Sequence, residues 1–281
     1  MPTLADESAA SSIKMLLIGD SGSGKTGALS SLVDAGYNLR ILDYDNGLDA
    51  LRNYTKDKSK LANVDFITLT DRMKAVGKTT LPDGVPLAFS QGLNLLTNWR
   101  YSIQDGKVLT SGGIFDTDLG SPSTWTSKEV LVIDSLTFMC SAALRYVLSM
   151  NGRAGQQPQI QDWGEAMRLI EDMLSLVYSP AIRCNVIMTS HLNYIENEGG
   201  GVKKAYPMAL GSKLPPKVGR YFNTCVLART QGSGDNVKRR IRTSSDVLIE
   251  LKTPVPGIPT EIPLETGLLS IMNAVKTGKY A

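Results

Sequence analysis

Histidine is almost missing from this chain: among 281 residues only His191 carries an imidazole. Metal centres built from several histidines are thereby excluded. Cysteine is scarce too, with Cys140, Cys184 and Cys225 far apart and without the paired spacing of zinc ligands. Two of them flank or lie in apolar runs. They read as buried free thiols of a reducing, cytoplasmic compartment rather than as a disulfide framework. No apolar run approaches the ~18 residues that a membrane-spanning helix needs. Residues 1–12, MPTLADESAASS, lack the apolar segment of a signal peptide and read as a flexible tail. A charge excess is absent as well. Lysine and arginine number 30 against 27 acidic residues, for a net charge of +3. No global basic field points to nucleic acid, so any such reading must rest on local clusters. No internal repeat occurs.

What is present is the composition of a soluble globular protein, 42% hydrophobic and 20% charged. The length suits one α/β domain or two small ones. One octapeptide dominates the reading. Gly19-Asp20-Ser21-Gly22-Ser23-Gly24-Lys25-Thr26 satisfies G-x-x-x-x-G-K-[ST], the phosphate-cradling P-loop. Its glycines let the backbone curl and aim N–H groups at anionic oxygens. The following helix, which begins around Gly27, adds the positive end of its dipole. Lys25 is placed to reach terminal phosphates, and the Thr26 hydroxyl to ligate Mg²⁺. The frame is right: Met15-Leu16-Leu17-Ile18 reads as a buried strand, and residues 27–33 as a helix stopping at Gly36.

The remaining pattern alternates strands and helices. Strands are expected at 39–43, 64–69, 130–135, 185–189, 224–228 and 247–251. Helices are expected at 88–103, 136–150 and along the stripe Trp163, Met167, Ile170, Leu174 and Val177. Residues 70–127 resemble an insertion, and 253–281 close the domain, so that 13–281 form one unit. Such alternation implies an α/β fold, a mostly parallel sheet with helices on both faces. Ligands bind such sheets at the carboxyl ends of the strands. The P-loop, Asp43, Asp45, Asp134 and His191 all fall on that edge. Asp134 ends the apolar run VLVIDS beside a P-loop, the Walker B arrangement for holding Mg²⁺. No Asn-Lys-x-Asp guanine-reading motif occurs, which favours ATP over GTP.

A resemblance sharpens this reading. The stretch ILDYDNGLD at 41–49 looks like that of RecA-type recombinases, where the second strand ends in a catalytic glutamate; Asp45 takes that place, one methylene shorter. More of the chain, about 13–275, resembles the phage-encoded AAA-type nucleotide-binding family that includes RecA-core single-strand annealing proteins. The likeness rests on DLGSPSTWTSKEVLVIDSLT (118–137), QDWGEAM (161–167), NVIMTSH (185–191) and LGSKLPPKVGRYFNT (210–224). It implies a RecA-like P-loop NTPase fold and a Mg²⁺-dependent ATPase. Gly19 to Gly27 would bind the nucleotide, Thr26 and Asp134 the metal, and Lys25, Asp45, Asp134 and His191 would serve catalysis, His191 as a γ-phosphate sensor. It also implies DNA-binding loops at 151–160 and 193–212, single-stranded DNA as substrate in recombination or annealing, further copies of the chain in a ring or filament, and a single-strand binding protein as partner. No extra DNA-binding domain is visible.

Local composition speaks to the DNA reading independently. Lys203, Lys204, Lys213, Lys217 and Arg220 occur with no acid between them, interleaved with Tyr194, Tyr206 and Tyr221; Arg153 adds a cation in the earlier loop. Cations for phosphates and aromatic faces for bases suit a single strand. A solvated surface loop or a subunit interface would look the same. Glycines at 199–201 would keep the loop mobile. The second basic run, Lys238-Arg239-Arg240 with Arg242, fits a phosphate contact, a cation given in trans to a neighbour's nucleotide, or a charged edge strand. The class that competes with the DNA reading is an ATP-dependent oligomeric switch of the KaiC-like kind, binding protein partners.

Overall fold

The architecture follows from which residues alternate between two cores. In the computed structural model, which describes residues 12–196, 203–232 and 236–280, an eight-stranded sheet runs through the molecule. Its strands are β1 (Lys14–Ile18), β2 (Asn38–Asp43), β3 (Val64–Thr68), β4 (Glu129–Asp134), β5 (Asn185–Ser190), β6 (Thr224–Gln231), β7 (Lys238–Arg242) and β8 (Glu261–Pro263). Their spatial order is β8-β7-β6-β1-β5-β4-β2-β3. From β3 to β6 all pairings are parallel; β7 and β8 add antiparallel. The expected tail at 1–12 lies outside the described residues apart from Ser12.

Eight helices are described: α1 (Lys25–Ala28), α2 (Ser30–Asp34), α3 (Asp49–Tyr54), α4 (Ala88–Thr97), α5 (Leu136–Met150), α6 (Ile160–Tyr178), α7 (Pro215–Val218) and α8 (Leu264–Thr277). Strand side chains alternate between faces. Leu16 and Ile18 of β1, with Leu131 and Ile133 of β4, face Phe89, Met139, Ala143, Ile170 and Leu174 of α4, α5 and α6. Met15 and Leu17, with Val130 and Val132, face Leu29, Leu32, Val33, Leu268 and Met272 of the P-loop helices and α8. Burying each such aliphatic side chain contributes about 1.5–3 kcal/mol. Because both faces are covered, β1, β4 and β5 read as unbroken apolar runs. The expected sheet with helices on both faces is the observed one. Among the described residues no helix is long and apolar enough to cross a membrane, and Cys140, Cys184 and Cys225 are free and buried.

Several local expectations differ from the structure. The helix after the P-loop already begins at Lys25 and is interrupted at Leu29, whose N–H bonds Thr26 O, three residues back. The helix expected over 88–103 ends at Thr97, and Arg100–Gln104 is a strand paired with Lys107–Leu109 and Thr117–Asp118. The cause is a two-residue period. Trp99 Nε1 and Tyr101 OH both donate to Asp65 of β3, at 2.7 and 2.9 Å. Trp99 also packs at a tilt against Trp125 with ring centroids 5.6 Å apart, so the 70–127 segment is pinned into the main core. Residues 247–251 form only an isolated bridge at Ile249. Asp246 Oδ1 accepts the Leu248 and Ile249 N–H groups, at 2.7 and 2.9 Å, turning the chain out of strand geometry. The basic run 238–242 is a strand, but β8 covers it, so it is not an edge.

One helix position tests the packing beneath the site. Gly92 lies in α4, and a Cβ there would overlap the hydroxyl of Tyr44, a buried group with no hydrogen-bond partner among the described residues. Helix propensity alone favours alanine over glycine by about 1 kcal/mol. Overpacking costs about 1–3 kcal/mol and decides the sign. Gly92→Ala is therefore expected to lower the urea midpoint, and adding Tyr44→Phe to restore it; a more stable Gly92→Ala protein would contradict this packing.

Candidate functional site

The carboxyl ends of β1, β2, β4 and β5 meet at one point, Asp134. This side chain is 1% exposed. Thr26 Oγ1 donates to its Oδ2 at 2.8 Å, and Thr189 Oγ1, from β5, donates to Oδ1. Its backbone carbonyl accepts the N–H of Tyr44 at 2.6 Å and of Asp45 at 3.2 Å. The Asp134–Ser135 peptide is cis. Ser135 then donates from both N (3.1 Å) and Oγ (2.7 Å) to Asp45 Oδ1. The two carboxylates are thus held by hydrogen bonds from three different segments. Asp43 does not join them at the cleft. It is buried under Thr68 Oγ1 (3.3 Å) and the Gly47 N–H (3.4 Å), and burial raises its carboxyl above the usual range.

The P-loop wraps from Gly19 to Gly27. Gly19 N donates to Ser190 O at 3.0 Å, tying the loop to β5. Gly22 and Gly24 take φ of 75° and 94°, the left-handed region that a Cβ disfavours. Gly24 is also crowded: a Cβ there would sit 2.9 Å from Arg239 Cδ and 3.0 Å from Leu264. Lys25 Nζ folds onto the loop carbonyls of Gly19 (2.9 Å) and Asp20 (3.0 Å). Burial lowers its ammonium below the ordinary value, against the pull of Asp134, Asp45 and Asp20. Ser23 is buried, while Asp20 and Ser21 are exposed. Ser21, Gly22, Gly24, Lys25, Thr26, Gly27, Asp45 and His191 line one cleft of about 460 Å³, together with Phe138, Tyr54 and Arg239.

The donor set fits Mg²⁺ and a polyphosphate. Thr26 and Asp134 present hard oxygens 2.8 Å apart, as Mg²⁺ prefers, and the glycines clear a cradle of N–H groups for phosphate. Thr26 and Asp134 are the residues that would hold the metal; bound there, it would neutralise phosphate charge. His191 borders the same cleft. Its N–H donates to Thr137 Oγ1 (3.1 Å), and its carbonyl accepts from Met208 N (2.7 Å). Its ring meets Phe138 edge-on at 6.0 Å. Burial, then the Lys25 charge, lowers its pKa. The chain continues from it into a hairpin, Leu192–Ile195 paired with Lys204–Pro207.

The expected nucleic-acid residues fare differently. Arg153 is committed to the buried Asp162 carboxylate, which also accepts from Asn151 Nδ2 and Gln159 N. This pair caps α6 and holds the 151–158 loop. The basic run without internal acids draws acids from elsewhere: Lys203 pairs with Glu196 at 2.9 Å, Lys204 with Glu250 at 3.3 Å and Lys217 with Glu171 at 2.9 Å. Tyr194, Lys213 and Arg220 are exposed; Tyr206 is half-buried beside Pro215 and Ile249. The expected glycine hinge at 199–201 lies outside the described residues. Sequence reasoning missed Thr189, Thr137, Tyr54 and the placement of Arg239. For Thr189 a signal existed, a hydroxyl within the apolar run NVIMT. For the others none did, because their partners lie 54 or more residues away.

This geometry defines a P-loop nucleotide-binding protein. The chain belongs to the AAA domain family, whose profile matches residues 11–255. No curated protein matches it. Among solved structures it is similar to a KaiC-like protein of the hyperthermophilic archaeon Pyrococcus horikoshii, at 10% identity and TM-score 0.39, over 82% of this chain and 77% of that one. It is similar also to the flagellar accessory protein FlaH of Methanocaldococcus jannaschii, at 10% identity and TM-score 0.41, over 92% and 88%.

Asp134 carries a pH signature of its own. Burial pushes its carboxyl from the ordinary 3.8 up to about 6, against the Thr189 hydrogen bond and with the Asp45 charge adding to the rise. The folded chain then binds the proton more tightly than the unfolded one. The group's contribution to stability is full below about pH 4 and is lost as pH rises through about 6, amounting to ~3 kcal/mol. Denaturation of metal-free wild type and Asp134→Asn should show wild type losing that much relative to the variant between pH 4 and 7. A pH-independent difference would contradict the assignment.

Proposed function

We propose that the chain is a Mg²⁺-dependent ATPase whose nucleotide state sets the hairpin after His191, and that this hairpin acts on single-stranded DNA in recombination or annealing of the phage type. ATP would lie on the N–H groups of residues 22–27. Lys25 would leave the Gly19 and Asp20 carbonyls for the terminal phosphates. Asp45, fixed through Oδ1 by Ser135, would orient the attacking water. His191 would meet the γ-phosphate and pass its presence to the hairpin, because its backbone is bonded on both sides, to Thr137 and to Met208. That double tether carries the reading. A histidine free of the hairpin would sense nothing beyond its own cleft.

DNA is the target for the cations of the 203–220 segment. Their carboxylate partners do not forbid it. Exposed pairs of this kind contribute only about 0–1 kcal/mol and can be exchanged for phosphates. The same pairs favour a second reading, an oligomeric ATP-dependent switch with a protein partner, since they leave the hairpin nearly neutral. Further copies of the chain, as a ring or filament, suit either reading.

Gel shift with single-stranded DNA, with and without ATP and Mg²⁺ across a salt series, separates the two. On the DNA reading binding falls steeply with salt, and Lys203→Ala/Lys204→Ala lowers the slope by up to about 2 while leaving ATP binding intact. Lys25→Ala abolishes ATP binding. No shift at low salt in any nucleotide state would favour the switch.

A further inference from the structure

Arg239 reaches the P-loop from an unexpected direction. Because β7 runs antiparallel to β6, its first residues return to the carboxyl edge of the sheet, with Arg239 opposite Thr230, three residues beyond the Ile18–Leu227 pair that ends β1. The stem of Arg239 lies against Gly24. Its Nε donates to Gly22 O at 3.3 Å and its Nη1 to Tyr54 OH at 3.0 Å. Tyr54 is the last residue of α3, and its ring lies 3.4 Å from where a Cβ on Gly27 would stand. Together the two side chains bridge the loop from residue 22 to residue 27, and both line the cleft.

The position of this bridge decides what it would meet. Asp134, Asp45 and His191 mark the terminal-phosphate side, where the metal ligands and the water-orienting carboxylate converge. A nucleoside triphosphate is a linear chain, so its nucleoside half must leave on the other side, past the first turn of α1 at Gly27. That is where Tyr54 stands. The two partners seen for the Arg239 guanidinium, a carbonyl and a phenol, are neutral. A phosphate oxygen would replace the carbonyl with a charge-assisted bond, which is about twice as strong.

We propose that Arg239, supplied by the chain's own β7, is a nucleotide contact acting in cis: it exchanges the Gly22 carbonyl for the α-phosphate, while Tyr54 lays its ring against the base. The inference rests on the nucleotide-binding reading above and names the residues that close the nucleoside half of that site. An aromatic face plus a guanidinium grips any base, so this half of the site contributes affinity rather than base choice. It also ties β7, and through β7 the short edge strand β8, to nucleotide occupancy.

Calorimetric titration with ADP and with ATP, both with Mg²⁺, tests it on the full chain. Arg239→Ala is expected to weaken both nucleotides alike, by about tenfold or more. Tyr54→Ala should weaken both, and Tyr54→Phe should retain most of the affinity. Melting of the ligand-free variants confirms that each is folded. Wild-type affinity in Arg239→Ala would overturn the inference, as would a loss confined to ATP, which would move Arg239 to the terminal phosphate. Recovery of binding on mixing Arg239→Ala with Lys25→Ala chains would place the cation in trans and also overturn it. Failure of wild type to bind either nucleotide would instead sink the nucleotide-binding reading itself.

Discussion

A single buried carboxylate, Asp134, holds the active edge of this protein together. It sits buried at the tip of a strand, so its oxygens must find donors within the fold. They find Thr26 from the P-loop helix and Thr189 from the neighbouring strand. Its backbone carbonyl then takes the N–H groups that lead β2 into Asp45. The segments at the carboxyl ends of β1, β2, β4 and β5 are therefore tied together by one residue's need for partners. That need also raises its proton affinity. The site is built at a cost in stability, because the charged form of this carboxylate is buried.

Around this point the fold supplies two paths outward. One runs through His191, whose backbone is bonded to Thr137 at the start of α5 and to Met208 just past the hairpin. The other runs through Arg239 and Tyr54 to the antiparallel margin of the sheet. On the proposed nucleotide pose the first meets the terminal-phosphate end of the cleft and the second the opposite end. A nucleotide that loses its terminal phosphate would release the first path and keep the second, which is the asymmetry a switch requires.

Much of this was legible in the sequence because the signals were local. GDSGSGKT after an apolar strand fixed the loop, and VLVIDS placed Asp134, since a strand buried on both faces must read as a continuous apolar run. The alternation of elements gave the parallel sheet. Asp45 and His191 followed from a resemblance, and both line the cleft. What could not be read depended on distant partners. Arg100–Gln104 is a strand because Trp99 and Tyr101, two residues apart, both donate to Asp65. Residues 247–251 have strand composition, yet Asp246 takes their N–H groups. Lys203, Lys204 and Lys217 read as a free basic cluster, but Glu196, Glu250 and Glu171 come from elsewhere to meet them. Arg153 looked like a loop cation and is the partner of a buried helix-capping acid.

The central claim is that the terminal phosphate is felt by the hairpin through His191. Amide hydrogen exchange reports it directly, compared between ADP and a non-hydrolysable ATP analogue, each with Mg²⁺. The account predicts that protection of the hairpin amides at 192–195 and 204–207 differs between the two nucleotides, and that His191→Ala erases this difference while P-loop protection persists. Identical hairpin protection with both nucleotides in the wild-type protein would contradict it.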